Sequence, residues 1–373
     1  MKLGPRNSSS GIALFILLSS LLVIGLAMRD LFQNTNVQIQ RVRNSIDRQQ
    51  SIYLARSTLN LARFFIAFDA FLDRQSKDTA ADTLQDYWAQ PIPFPIPMEL
   101  IQGFYAQSEE SGNGSASSGP TDEDKIKKCD EFFGDFEGES LATVTDLSSR
   151  INLNDLEDKK IQQLLLQLLT PNLDFVARLE KRDIRPEDVV SQIRDYIDPD
   201  EVENITNAFE LSAYSDAGLP YAPKNRPFNL IDELKLVPIV DNELYDYLQK
   251  HSAAVYFTGR AKPAKINLNT VESEVFQALL KDVGNPEEIT EAFLKDRQEN
   301  SRVYTEKSIS DQLEAAGINK DNLELGLLTG SSDLFSVSIR SKVNDVEVLL
   351  ETMVKKPLGK KDARPIVMMR TSP

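Results

Sequence analysis

From Ile12 to Met28 the chain is a nearly unbroken apolar run, preceded by Lys2 and Arg6 and followed by Arg29 and Asp30. Its 17 residues are at the short end for a bilayer-spanning helix, and the basic flank predicts a cytoplasmic N-terminus. An ordinary secretory signal peptide cut after Ala27 and a simple uncleaved anchor both fit this run. The residues beyond it favour a longer element. No Gly or Pro occurs from Leu26 to Gln90, and apolar residues recur at helical spacing: Ile39, Val42 and Ile46, then Leu61, Phe64, Phe65, Phe68, Phe71 and Leu72. One helix from Ile12 to near Asp73 is predicted, roughly 90 Å long at 1.5 Å per residue. Half of it would lie in lipid, and the other half would be amphipathic outside it.

The pattern then changes character. Prolines at 91, 93, 95 and 97 end any helix and impose an extended segment, read as a rigid linker or an edge strand. Residues 108–120 form a Ser/Gly-rich loop, followed by an acidic stretch to about Ser140. Leu141 to Leu147 reads as a strand running into Ile151-Asn-Leu-Asn154, a quartet that recurs at Ile266-Asn-Leu-Asn269. Each copy precedes a helical pattern, Leu156 to Leu169 and Val271 to Leu280. Asn154 and Asn269 are therefore read as helix N-caps, since an Asn side chain accepts the orphan amide hydrogens of a first turn.

Further helices are predicted at Asp174 to Lys181, Pro186 to Tyr196, Leu230 to Val237, Asn242 to His251, Pro286 to Arg297 and Ser308 to Ala316. The alternation of Leu334 to Lys342, the turn residues Asn344-Asp345, Val346 to Lys355 and Ile366 to Arg370 then read as strands. The resulting class is α+β, with a sheet split in sequence by a large all-α insert and the Phe-rich face of the long helix packed on that sheet.

Charge and side-chain chemistry narrow the function. With 42 Lys+Arg against 57 Asp+Glu, the net charge of −15 argues against a nucleic-acid partner. Cys129, the single cysteine, forms no internal disulfide and is read as a free surface thiol. The single histidine, His251, leaves no multi-His metal site and one possible base for any His-dependent dyad. The main candidate for ligand chemistry is the acidic group Asp195, Asp198, Asp200, Glu201 and Glu203, with Glu210 and Asp216 behind it. Carboxylates so spaced suit a hard cation such as calcium, or else form a solvated loop.

The uncharged run continuing into one long helix resembles the N-terminus of type IV pilins and type II secretion pseudopilins. In those families a prepilin peptidase cuts after a glycine preceding the apolar run. Gly11 stands there in this chain, leaving Ile12 as the first mature residue. Relatives carry a glutamate as the fifth mature residue, where this chain has Ile16. A carboxylate at that depth is costly unless paired, so its loss suits a subunit with nothing above it.

An ordered series of motifs resembles the general secretion pathway protein K family over nearly the whole mature chain. It comprises Trp88-Ala89 with the prolines, Ile151-Asn-Leu-Asn154, Asp195-Tyr-Ile-Asp198-Pro-Asp200, Pro220-Tyr221 through Asn225-Arg-Pro227 to Val237, and Ile266-Asn-Leu-Asn269-Thr270. Ile266 to about Leu313 also looks like a helix-hairpin-helix (SAM-like) module. Its turn, Asp282-Val-Gly-Asn-Pro-Glu-Glu288, carries one Gly among acids and does not suit DNA.

The resemblance implies a non-enzymatic minor pseudopilin at the tip of a periplasmic pseudopilus. Its partners would be the I- and J-type minor pseudopilins, an H-type, the major pseudopilin, the prepilin peptidase and the inner-membrane secretion platform. It further implies calcium in the helical domain, for which Asp195, Asp198, Asp200 and Glu210 match best. The expected division is a leader over 1–11, a helix over 12–75 with its span at 12–28, and a pilin-like domain over 76–154 and 331–373. The helical insert would run over 155–330, in two sub-units, 155–260 and 261–330. The competing reading is a membrane-tethered periplasmic metal-dependent hydrolase or ligand-binding protein using the acidic group.

Overall fold

The computed structural model describes residues 9–75, 80–96, 137–171, 173–181, 184–199, 211–255, 263–281, 283–357 and 366–371. The uninterrupted helical pattern becomes one helix, α1 (Ser9–Gln75), of 67 residues. Its outer part, up to residue 46, stands clear of the rest of the chain. The remainder lies on a five-stranded antiparallel sheet. That sheet has the order β1 (Ile92–Phe94), β2 (Glu139–Asp146), β7 (Leu334–Val343), β8 (Val346–Lys355) and β9 (Ile366–Thr371). β2 and β7 pair from Glu139↔Lys342 to Asp146↔Phe335, although the helical segment separates them in sequence.

The hairpin β7–β8 turns at Asn344, whose φ of 52° is the left-handed conformation that Asn tolerates in such turns. The proline segment supplies β1, an edge strand paired only with β2. This is the place in a sheet that accepts Pro93, because its missing N–H faces no partner.

The face that α1 presents to the sheet matches the expected aromatic one only in part, through Phe65. The buried stripe is Ser51, Leu54, Ala55, Thr58, Leu59, Ala62, Phe65, Ile66, Asp69 and Ala70, whereas Phe64 and Phe71 are half exposed. Small side chains let the helix approach the sheet closely, and the approach is measurable. Ser51 Oγ donates to the Ser341 carbonyl and Ser341 Oγ donates back to the Ser51 carbonyl, each at 2.9 Å. A Phe at either position would hold the two backbones too far apart for those bonds.

The helical part is built of α2 (Lys159–Leu169), α3 (Leu173–Lys181), α4 (Pro186–Ile197), α5 (Leu211–Asp216), α6 (Asn242–His251), α7 (Ser273–Leu279), α8 (Pro286–Glu299) and α9 (Ile309–Ala315). Leu230 to Val237, expected as an α-helix, is a 3-10 helix over Ile231–Leu236. Two large apolar cores result among the described residues, with a small third cluster of Ala253, Val255 and Leu334. One runs from Ile151 to Leu328 among these helices. The other joins Ala55, Ala62, Ile66, Trp88, Val144, Phe335, Val337, Ile339 and Val354 between α1 and the sheet.

Candidate functional site

The apolar run occupies the free end of α1. Gly11 and Ile12 are in its first turn, and every residue from Ile12 to Met28 is exposed, Ile16 to 60%. A stretch of exposed Leu, Ile, Val and Phe this long is unfavourable in water and favourable in a bilayer. The helix meets the length and composition needed to cross one. Because α1 has no break, whatever holds its sheet-packed half also fixes the direction of its apolar half.

That hold is strongest at the end of α1. Lys356 Nζ, buried just past β8, lies 2.7 Å from Asp69 Oδ2 and 2.6 Å from Asp73 Oδ2, and it also donates to Asp82 Oδ1. Attraction to the three carboxylates outweighs burial and holds the ammonium charged beyond its usual range. Asp82 moves the other way from an ordinary ion-pair partner. Burial and the neighbouring Asp69 outweigh Lys356 and push its carboxyl well up. One cation cannot balance three ionised carboxylates in a buried site, so retention of a proton is the cheaper state.

A second buried network joins sheet and helices. Asp146 Oδ2, at the end of β2, accepts from Thr270 Oγ1, Ser332 Oγ and Asn267 Nδ2, and its Oδ1 accepts from the Ser148 amide at 2.7 Å. Even with these donors, burial pushes the Asp146 carboxyl up. Asn267 Nδ2 also reaches the Asp82 carbonyl at 2.9 Å, tying this network to the Lys356 cluster.

In the repeated quartet the second Asn is a clamp at both occurrences and not a cap. In each copy the first two residues form a parallel bridge: Ile151-Asn152 (β3) with Ser252-Ala253 (β4), and Ile266-Asn267 (β5) with Leu328-Thr329 (β6). The second Asn of each quartet then grips a distant backbone by both its N–H and its C=O. Asn154 accepts from the Phe228 amide at 2.7 Å and donates to the Phe228 carbonyl at 3.0 Å. Asn269 accepts from the Tyr304 amide at 2.8 Å and donates to the carbonyls of Tyr304 and Gly330 at 2.9 and 3.0 Å.

The capping expectation fails because the helices begin later, at Lys159 and Ser273, beyond reach of these side chains. The first Asn of each quartet does the turn work instead. Asn152 Oδ1 and Asn267 Oδ1 accept from the amides of Asn154 and Asn269.

Of the acidic group, Asp195 lies in the last turn of α4 and Asp198 follows it as the C-cap; both are buried. Arg194 Nε stands 4.0 Å from Asp198 Oδ2. Asp200, Glu201, Glu203 and Glu210 lie outside the described residues, as does Cys129. His251 closes α6, and Glu272 and Glu274 are within ion-pair range of its ring nitrogens.

Missed in the sequence were Asp82, Asp146 and Lys356. One signal was available, since Asp69 falls one heptad beyond Ala62 and two beyond Ala55 on the buried stripe. A carboxylate at a core position demands a cationic or donor partner.

An exposed apolar helix end continuous with an α+β body that carries a large helical segment defines a long-helix α+β protein. Within that class, residues 149–256 match the family model of type II secretion system (T2SS), protein K. Over those residues the chain is similar to protein K, the family whose motif order it also resembles. No curated protein matches by sequence. Among solved structures, the chain is similar to one in the crystal structure of the GspK–GspI–GspJ complex from the type 2 secretion system of enterotoxigenic Escherichia coli. The TM-score is 0.58 at 17% identity, over 89% of this chain and 99% of that one. At that identity the likeness shows a shared fold.

Proposed function

We propose that this chain works as a K-type minor pseudopilin of the type II secretion system, at the tip of the pseudopilus, where it initiates or caps assembly in support of protein export. It is a structural component and not an enzyme, as the match to a secretion-system protein supports. The observation that carries the reading is the unbroken α1, which joins a free apolar segment to a half locked on the sheet. Lateral packing of such segments, with release from lipid into a bundle, is how helix-anchored subunits associate.

In this reading a prepilin peptidase removes residues 1–11, cutting after Gly11, and Ile12 becomes the mature N-terminus. The chain would sit in the inner membrane with a cytoplasmic N-terminus and a periplasmic body. Ile16, with no carboxylate for a subunit above, suits the end of a filament. The I- and J-type minor pseudopilins are the partners we assign, because the structurally similar chain is named in complex with GspI and GspJ. We read the body as a pilin-like domain over 76–154 and 331–373, interrupted by helix-hairpin-helix-like units over 155–260 and 261–330. The two parallel bridges that close the quartets support that division.

Calcium belongs to the same proposal, held by Asp195, Asp198, Asp200 and Glu210. The placement of Asp195 and Asp198 together at the buried end of α4 supports it over a solvated loop. Chelator should lower the thermal midpoint of the calcium-loaded chain; an unchanged midpoint removes the ion from the account.

Mass spectrometry of the mature chain tests the main reading. A start at Ile12, with an N-methyl group, supports it, and a start at Met28 overturns it. Ile16→Glu should impair secretion by restoring a carboxylate at the tip. Undiminished secretion by that variant would remove Ile16 from the capping argument.

A further inference from the structure

Two groups of three ligand-type side chains occur among the described residues, and they are in opposite states. Asp69, Asp73 and Asp82 converge on Lys356, so that site already holds an internal cation. The other group, His251, Glu272 and Glu274, surrounds no buried ammonium. His251 is 2% exposed, and its Nδ1 is buried without a hydrogen bond among the described residues; so is Glu272 Oε2, 3.5 Å away. Glu274 Oε1 lies 3.9 Å from Nε2 of the same ring. One ligand atom from each of the three residues falls within 4.8 Å of the others.

We propose that His251, Glu272 and Glu274 form a site for a zinc-class divalent cation that links the helices before residue 256 to those after residue 266. The donor set is one imidazole nitrogen and two carboxylate oxygens, which suits a borderline-soft dication better than calcium, whose ligands are oxygens. Ligand bonds of about 2.0–2.2 Å in a tetrahedral site place neighbouring ligand atoms roughly 3.3–3.6 Å apart. The 3.5 Å separation of Nδ1 and Oε2 already meets that spacing.

The supporting contacts are also in place. Tyr247, one turn earlier on α6, packs its ring 4.7 Å from the imidazole and fixes its plane. Ser273 Oγ donates to the second oxygen of Glu274, leaving Oε1 turned to the histidine. Outer contacts of this kind orient metal ligands.

The cations nearby are Lys250 and Arg150. Lys250 Nζ lies 3.7 Å from Glu272 Oε2 and 3.5 Å from Glu274 Oε1. Its side chain is 57% exposed, so it swings into solvent when a dication takes its place. Arg150 donates to the Gln249 carbonyl at 3.0 Å. His251 ends α6 beside β4, whereas Glu272 and Glu274 lie at the start of α7. A bound ion would therefore tie the two quartet-bearing units together.

The test is zinc titration calorimetry on the full chain in detergent, without a polyhistidine tag and with calcium present throughout. The expected result is one zinc per chain, weakened at least tenfold in Glu272→Gln and in Glu274→Gln. Lys250→Gln should bind several-fold more tightly, because a competing cation is gone. Cobalt in place of zinc should give the visible absorption of a low-coordinate nitrogen–oxygen site. Absence of zinc binding to the unaltered chain overturns the proposal. So does binding that neither glutamine variant weakens. Both glutamates are partly exposed, so their variants test the site without removing the buried histidine. The readout does not depend on secretion, and its failure leaves the pseudopilin reading untouched.

Discussion

Lys356 and Asp69 are 287 residues apart in sequence and joined by a 2.7 Å ion pair, so the last turns of α1 and the end of β8 are locked to one another. Asp73 and Asp82 complete the lock. Its position matters because α1 carries the exposed apolar run and is also one wall of the sheet core. Loosening this contact frees the helix from the sheet.

Lys356→Met should therefore be among the most damaging single changes in the chain. It removes the shared cation from three buried or half-buried carboxylates, a loss of about 3–5 kcal/mol for a buried pair broken from one side. Thermal unfolding of the detergent-solubilised chain should show a large drop in midpoint. Adding Asp69→Asn should restore part of it. If the double variant is worse by the sum of the two single effects, the residues are not coupled.

Asp86 makes a pH dependence measurable. Burial pushes its carboxyl up to about 6, although the Thr83 amide and hydroxyl both donate to it. In the unfolded chain the same group ionises near pH 4. Between those values the folded state holds more protons than the unfolded state. The contribution of Asp86 is thus fully present below about pH 4 and is lost as pH rises through about 6. The stability difference between the unaltered chain and Asp86→Asn should shrink by on the order of 1–2 kcal/mol from pH 4 to 6.5, allowing for partial exposure. Denaturant midpoints across that range give the slope, and a flat difference would contradict the assignment.

Substitution with Asp separates a clamp from a cap at the repeated quartet. At a helix N-cap, Asp replaces Asn almost freely, because only the acceptor oxygen is used. Asn269 uses both ends of its amide on buried backbone groups, so Asn269→Asp should be nearly as harmful as Asn269→Ala, about 2–3 kcal/mol. Asn154, less buried and holding only Phe228, should lose about 1–2 kcal/mol on either change. Tolerance of Asp at both positions in denaturant titrations would restore the capping reading.

These contacts show what was legible in advance. Periodicity carried α1, because a chain with no Gly or Pro from Leu26 to Gln90 has little alternative to a continuous helix. Alternation carried β7 and β8, and Asn344 marked their turn. The quartets were visible as a repeat, yet their role was not. An Asn that caps its own turn and one that bonds a backbone segment 74 residues away are the same residue to a local reading. Lys356 was invisible for a related reason. It follows an alternating strand at a position that reads as solvated, and only the arrival of α1 and Asp82 buries it. The aromatic face is right only in part: Phe65 packs in the sheet core, whereas Phe64 and Phe71 do not, because closeness to the sheet selects small residues within the stripe. His251 carried no local signal at all; its carboxylate neighbours come from beyond the next bridge.

Gly330 tests how tightly the second quartet is closed. Its carbonyl accepts from the Asp82 amide at 2.9 Å and from Asn269 Nδ2 at 3.0 Å, so the residue sits where sheet, α1 connector and clamp meet. A Cβ at this position would lie 1.8 Å from the Tyr304 carbonyl oxygen and 2.7 Å from its carbon. Those are backbone atoms, and Asn269 already holds Tyr304 by both its amide and its carbonyl, so no side-chain rotation relieves the clash. Gly330→Ala should cost about 3 kcal/mol or more, by forcing apart the segments that Asn269 joins. Gly284 supplies the control, because a Cβ there would meet no atom within 4 Å. Gly284→Ala should stay within about 0.5 kcal/mol of the unaltered chain. Equal midpoints for the two variants would show that the contact between Gly330 and Tyr304 yields easily, and that the clamp is looser than its bonds imply.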